Sequence, residues 1–302
     1  MRQQEGDIED AEKLYDESLE LARELHDDTA AVTVLSNIGR IRYESGRVDE
    51  ALDLFHRALG RLRASGDLAQ TGNWLGYIGS VYYATEEYET AIEYYSQALS
   101  IAERTGHIRN QGVWLANLGN ASYEMKHVGK ALEYYLRALE LARDEQDFSY
   151  VCTLMSTIGV YYFNLRQYEQ AQSYFNESLN IALEIGNLPV SIQNILYRGA
   201  IRAHLGDPEG GLRALSEGEA LAREHGMTEH LAVAELFRGH IALQSGERAV
   251  ARKHCLKAAE IAASTPNRKL SGEIDRALSA CREEAADDSD AGGNNGSGGK
   301  KN

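Results

Sequence analysis

Residues 74–106 read WLGYIGSVYYATEE followed by YETAIEYYSQALSIAERTG. In both stretches apolar residues recur at spacings of three and four, as one buried helical face requires. Glu86 and Glu87 fall at the turn between them, and Gly106 closes the second stretch, where a left-handed cap position favours glycine. The segment predicts two helices joined by a short turn.

The pattern recurs along the chain. Gly39, Gly79, Gly119, Gly159, Gly199 and Gly239 are spaced by forty residues. Twelve residues after each stands a small residue (Ala51, Ala91, Ala131, Ala171, Gly211, Ala251), and nineteen after stands another (Ala58, Ala98, Ala138, Ser178, Gly218, Ala258). Between the two lies a larger one: Phe55, Tyr95, Tyr135, Phe175, Leu215 or Cys255. Glycine inside a helix costs about 1 kcal/mol against alanine, roughly 6 kcal/mol for all six. Keeping them implies that a Cβ would collide with a packed neighbour, and the small columns are expected on the far side of that contact. Helix pairs pressed together in series make a solenoid, stabilised by stacking each unit on the next. Punctuation agrees: Gly66, Gly186 and Gly226 also follow second helices, Asp207 and Pro208 read as N-cap and first helical residue, and Pro189 and Pro266 fall at helix boundaries.

The copies NIGRIRYESGRVDEALDLFHRALGRLRASGD (37–67) and NLGNASYEMKHVGKALEYYLRALELARDEQD (117–147) resemble tetratricopeptide repeats, in the forty-residue form of kinesin-light-chain-like and Pins-like scaffolds. The resemblance covers residues 6 to 265 and implies an all-α, right-handed superhelical solenoid of helix-turn-helix repeats. The expected organisation is a half repeat over 1–28 (second helix only), six repeats over 29–267, a closing helix over 268–286 and a disordered tail over 287–302. The tail, DDSDAGGNNGSGGKKN, is polar and glycine-rich. In the closing helix, Leu270, Ile274, Ala277, Leu278 and Cys281 keep helical spacing. Copies five and six depart from the pattern: Arg198 and Arg238 replace an apolar residue, and Gly210, Gly211 and Gly218 weaken helix propensity.

Net charge is −15, which repels phosphate backbones and anionic membranes, so neither nucleic acid nor membrane is an expected partner. Three cysteines, Cys152, Cys255 and Cys281, form no CxxC pair and no disulfide framework, which fits a reduced, cytoplasmic setting. The nine histidines show no metal-ligand spacing, and no nucleophile or phosphate-loop motif occurs, so neither enzyme activity nor a cofactor is expected.

What remains is a binding groove. In the tetratricopeptide family the first helices line the concave surface, and helical geometry places positions around the anchor glycine in one stripe. The candidate partner-binding residues are Asn37, Arg40, Tyr43, Asn73, Tyr83, Asn117, Asn120, Tyr123 and Phe163. The aromatic column Tyr43, Tyr83, Tyr123 and Phe163 reads first as inter-helix packing and then as ligand contact, and the asparagines can bridge repeats as well as bind a partner backbone. Small residues at 36, 76, 116 and 156 are expected to leave space beside the aromatics. A carboxylate clamp is disfavoured because 36, 76 and 116 are not lysine. The expected function is a scaffold binding another protein, as a helix or extended segment, in this groove. The alternatives are a sensor arm of a larger signalling ATPase, kinase or transcription regulator, and a structural solenoid that self-associates through an uncapped N-terminal end.

Overall fold

The structure is a computed structural model; it describes residues 14–282 apart from 16, 23, 26 and 266. The tail 287–302 lies outside the described residues, as does Pro266. Two compact units divide the chain at Asp147 and Phe148. In the first, helical residues at 14, 15, 17–22 and 24 precede α1 (Asp28–Glu44), α2 (Val48–Ser65), α3 (Leu68–Ala84), α4 (Tyr88–Thr105), α5 (Ile108–Glu124) and α6 (Val128–Asp144). The second holds α7 (Phe148–Asn164), α8 (Tyr168–Glu184), α9 (Leu188–His204), α10 (Pro208–Glu224), α11 (Thr228–Gln244), α12 (Arg248–Ala262) and α13 (Arg268–Ala280). No strand occurs among the described residues. The fold is an all-α solenoid of tandem helix-turn-helix repeats, as the forty-residue period implies.

Each helix from α1 to α11 ends in the same device. A residue with positive φ recurs every twenty positions, from Gly46 (φ 77°) to Gly246 (φ 76°). Glu86, Lys126, Gln146 and Arg166 take this left-handed conformation without being glycine, at φ between 56° and 68°. Some helices open on side-chain caps: on the first helices α1 and α3, Asp27 accepts from the Ala30 amide (2.9 Å) and Asp67 from that of Gln70 (3.0 Å), and on the second helix α10 Asp207 accepts from that of Gly210 (2.8 Å). Each such cap satisfies an amide that the helix cannot.

The anchor glycines do face a close neighbour, but in four copies it is the ring of the large column. A Cβ on Gly79 would stand 2.9 Å from Tyr95 Cδ1, on Gly119 2.6 Å from Tyr135 Cε1, and on Gly159 2.8 Å from Phe175 Cε1. Gly39 meets the ring of Phe55 in the same way. The small columns at 51 and 58 and their equivalents are buried and let the second helix approach closely enough to deliver that ring. Only copy five presses small against small. There a Cβ on Gly199 would stand 2.9 Å from the Gly211 carbonyl oxygen, and one on Gly211 2.6 Å from that of Gly199.

The three glycines of copy five and Arg238 of copy six have packing causes. Gly218 leaves room for Leu196, whose Cδ2 would lie 2.7 Å from an added Cβ, and Gly210 lies under the Arg202–Asp207 ion pair. Helix α10 runs through all three glycines without a break. Arg238 answers Glu235, which is 2 % exposed on the same helix. Arg238 Nη1 lies 2.5 Å from Glu219 Oε2 and 3.2 Å from Glu235 Oε1. Lys257 Nζ and His254 Nδ1 each lie 2.7 Å from the Glu235 carboxylate. Burial alone would raise the Glu235 carboxyl, but Lys257, His254 and Arg238 together hold it below its ordinary value.

At the end of the second unit, Leu270, Ile274 and Ala277 of α13 pack on Ala232 and Leu236 of α11 and on Cys255, Ala258 and Ala262 of α12. The residues of α13 that stand in register with the buried faces of the earlier first helices, Ser271, Gly272, Asp275 and Ser279, are exposed.

Candidate functional site

In the first unit, α1, α3 and α5 are the first helices of their repeats. Arg40 is exposed and pairs with Glu44 one turn on, at 3.0 Å. Tyr43 is half-buried. Asn73 is committed to the next repeat, its Oδ1 accepting from Asn110 Nδ2 at 2.8 Å. Asn120 is committed to its own second helix, where the Tyr135 hydroxyl donates to its Oδ1 at 2.7 Å. The Tyr95 hydroxyl and Ser80 make the equivalent bond one repeat earlier, at 3.1 Å. Copies one and four carry phenylalanine at the ring position and Arg40 or Val160 opposite, so the bond and its acceptor are absent together.

Tyr83 packs edge-on against Tyr88, with centroids 5.4 Å apart, and burial together with the Glu124 carboxylate raises its hydroxyl above the ordinary tyrosine value. Tyr123 is half-buried, with Lys126 Nζ 5.8 Å from its ring. The space left by Gly76 is filled: the Trp114 indole occupies the volume a Cβ would need.

Two of the candidate asparagines stay uncommitted. Asn37 and Asn117 are half-buried, and among the described residues neither has a hydrogen-bond partner. Both stand two residues before an anchor glycine. The same position between them, on α3, holds Tyr77, a residue absent from the sequence-derived set. It is 56 % exposed and rests edge-on against Trp74 at 5.4 Å. Its membership of the Asn37–Asn117 column was the available signal.

In the second unit the corresponding helices are α7, α9 and α11, and their rings meet. Phe163 lies 5.2 Å from Tyr197 and 5.9 Å from Phe237, and Tyr197 lies 5.0 Å from Phe237. Tyr197 also stacks on Phe175, and His204 stacks on Tyr168 at 4.5 Å. Phe163 is thus packed into an apolar cluster and does not stand free. Ser156 is buried and donates to Asn194 Oδ1 (2.7 Å), Asn194 Nδ2 donates to Ser178 Oγ (2.8 Å), and Ser178 donates to the Cys152 carbonyl (2.6 Å). The small residue at 156 therefore houses a polar chain across α7, α8 and α9. Burial lowers the pKa of His204, His230 and His240 and favours their neutral forms.

Among the described residues no group of three or more His, Cys, Asp or Glu side chains is placed to hold a metal ion. None of the described helices is long and apolar enough to cross a membrane. What the first unit offers chemically is two hydrogen-bonding amides and an exposed phenol at one register position of successive first helices.

Comparison with known proteins agrees with this architecture. A search of curated proteins by sequence finds no match. The structure is similar to that of BtubC (BKLC) from P. vanneervenii, with a TM-score of 0.65, 20 % identity, and 72 % of this chain and 92 % of that chain covered. It is also similar to a Rap protein complexed with competence and sporulation factor (TM-score 0.58, 17 % identity, 95 % and 92 % covered). A third likeness is to a signal transduction ATPase with numerous domains carrying a tetratricopeptide repeat sensor, from Pyrococcus horikoshii (TM-score 0.61, 17 % identity, 90 % and 45 % covered). In sequence, family models described as tetratricopeptide repeat match residues 1–64, 70–144 and 154–184, more than half of the chain. The chain belongs to the tetratricopeptide repeat family.

Proposed function

We propose that the protein is a non-catalytic scaffold that binds an extended segment or helix of another protein on the face formed by α1, α3 and α5. The observation that carries this reading is the column Asn37, Tyr77 and Asn117. Two half-buried amides without partners among the described residues and one exposed ring share a register position on three successive first helices. A primary amide both donates and accepts, so each can take the backbone of an extended partner, while the phenol ring covers apolar side chains. Arg40, Tyr43, Asn73, Tyr83, Asn120 and Tyr123 lie on the same three helices, where the bonds from Asn73 to Asn110 and from Asn120 to Tyr135 tie neighbouring helices together. Phe163 supports the second unit from within.

A structurally similar Rap conjugation gene regulator, of the plasmid pLS20, was solved in complex with the Phr* peptide, which supports a peptide-sized partner here. Affinity capture from cell extract tests the reading, comparing the wild type with Asn37→Ala/Tyr77→Ala/Asn117→Ala after both are shown to be helical. A partner retained by the wild type and lost by the variant supports it; equal retention refutes it.

Two observations favour further readings. Likeness to the sensor of a signalling ATPase favours a regulatory arm, in which peptide binding controls a larger assembly. Leu14, Leu21 and Leu25 are 64 %, 55 % and 68 % exposed, which favours self-association at that edge. A concentration-dependent mass in sedimentation, abolished by charges at these leucines, distinguishes the second.

A further inference from the structure

Cys255 and Cys281 are 26 positions apart in sequence and belong to one packed cluster in the fold. Cys255 is fully buried on α12, in the column that elsewhere holds a ring or leucine. Cys281 follows α13 as its C-cap residue, half-exposed, and packs on the cluster that contains Cys255, Leu270, Ile274 and Ala277. The register of the repeat explains the meeting. Phe175 stands eighty residues before Cys255 and Ile201 eighty before Cys281, and those two share one cluster between α8 and α9. Where the earlier copy packs a ring on isoleucine, the last one carries a cysteine at both positions, within one packed cluster.

The chemistry of the two thiols differs. Burial pushes the Cys255 thiol up to about 11, and the neighbouring Cys281 thiol adds to the shift. Cys281 is open to solvent in part, so an oxidant reaches it first.

We propose that Cys255 and Cys281 are a reversible redox pair whose disulfide fastens α13 to α12. The oxidant is a low-molecular-weight disulfide such as oxidised glutathione. The Cys281 thiolate attacks one of its sulfurs, forming a mixed disulfide and releasing one thiolate. The Cys255 thiolate then attacks the Cys281 sulfur and releases the second. The protein loses two electrons and two protons, and the small disulfide becomes two thiols. In the reduced state α13 is held by Leu270, Ile274 and Ala277 alone among its fully buried side chains. The disulfide closes a loop across the α12–α13 turn and removes the freedom of that helix to detach.

The test treats the full chain with oxidised glutathione and maps cysteine-containing peptides by mass spectrometry without reduction. The expected product is an intramolecular Cys255–Cys281 link, reversed by dithiothreitol. Its closure should quicken about tenfold per pH unit from about pH 7 to about pH 9, as the thiolate fraction of a high-pKa thiol does. Amides of α13 should exchange more slowly with the link in place. Cys255→Ser should instead arrest as a stable glutathione adduct on Cys281. A wild-type chain that keeps glutathione on Cys281 with no link at either pH overturns the proposal, as does a link through Cys152 or between two chains.

Discussion

The ring of Phe175 lies against the bare backbone of Gly159: a methyl group there would stand 2.8 Å from Phe175 Cε1. Phe175 is fully buried, so the ring has no free volume to retreat into. Gly159→Ala gains about 1 kcal/mol of helix propensity against an overpacking penalty of about 1–3 kcal/mol. The expected net result is a loss of about 1 kcal/mol in denaturant unfolding. Gly60, inside α2, has nothing within 4 Å of its Cβ position. Gly60→Ala is therefore expected to stabilise by about 0.5–1 kcal/mol. Two alanines with the same sign would contradict the packing account.

Glu235 is the costliest charge in the second unit to leave alone. Arg238→Ile restores the residue type of copies one, two and four at that position, yet it removes one of the cations around a buried carboxylate. It is expected to destabilise by about 3 kcal/mol. Glu235→Leu combined with Arg238→Ile should recover most of that loss. A double variant as unstable as the single would show that the network itself holds α10, α11 and α12 together.

Asn194 joins Ser156 to Ser178 in a region closed to water. Asn194→Leu leaves both hydroxyls without that partner and is expected to cost about 2–3 kcal/mol. Adding Ser156→Ala and Ser178→Ala should return part of it, measurable as a shift in urea midpoint at constant slope.

His204, His230 and His240 have pKa values below the ordinary 6.5 because burial disfavours their charged forms. The unfolded chain then binds more protons than the folded one below about pH 6.5. Stability from this source is complete above that pH and declines as the pH falls toward the folded values. Thermal unfolding at about pH 7.5 and about pH 5.5 should show the loss, and His204→Gln/His230→Gln/His240→Gln should flatten it. An unchanged slope in the triple variant would contradict the assignment.

The repeat was legible because four columns keep one register, and Gly79 with Tyr95 follows from that register alone. Gly76 shows the limit. A small residue reads identically whether its space is empty or holds Trp114 from 38 positions onward. Arg238 stood out as a departure, but its explanation needs Glu235, Lys257 and Glu219, which only the packing of α10, α11 and α12 brings together. Asn37 and Asn117 were identifiable from their column, whereas Tyr77 in that same column was passed over for the tyrosines at 43, 83 and 123. Exposure decides between them, and exposure depends on neighbouring repeats.

The most direct test of the scaffold reading is site-specific photo-crosslinking in cell extract. A benzophenone-bearing phenylalanine derivative is placed at Tyr77 of α3 or, as the comparison, at exposed Leu136 of α6. The expected result is a light-dependent adduct at position 77 only, lost when Asn37 and Asn117 are changed to alanine. An adduct that survives those changes, or one that forms at position 136 and not at 77, would contradict a binding face on α1, α3 and α5.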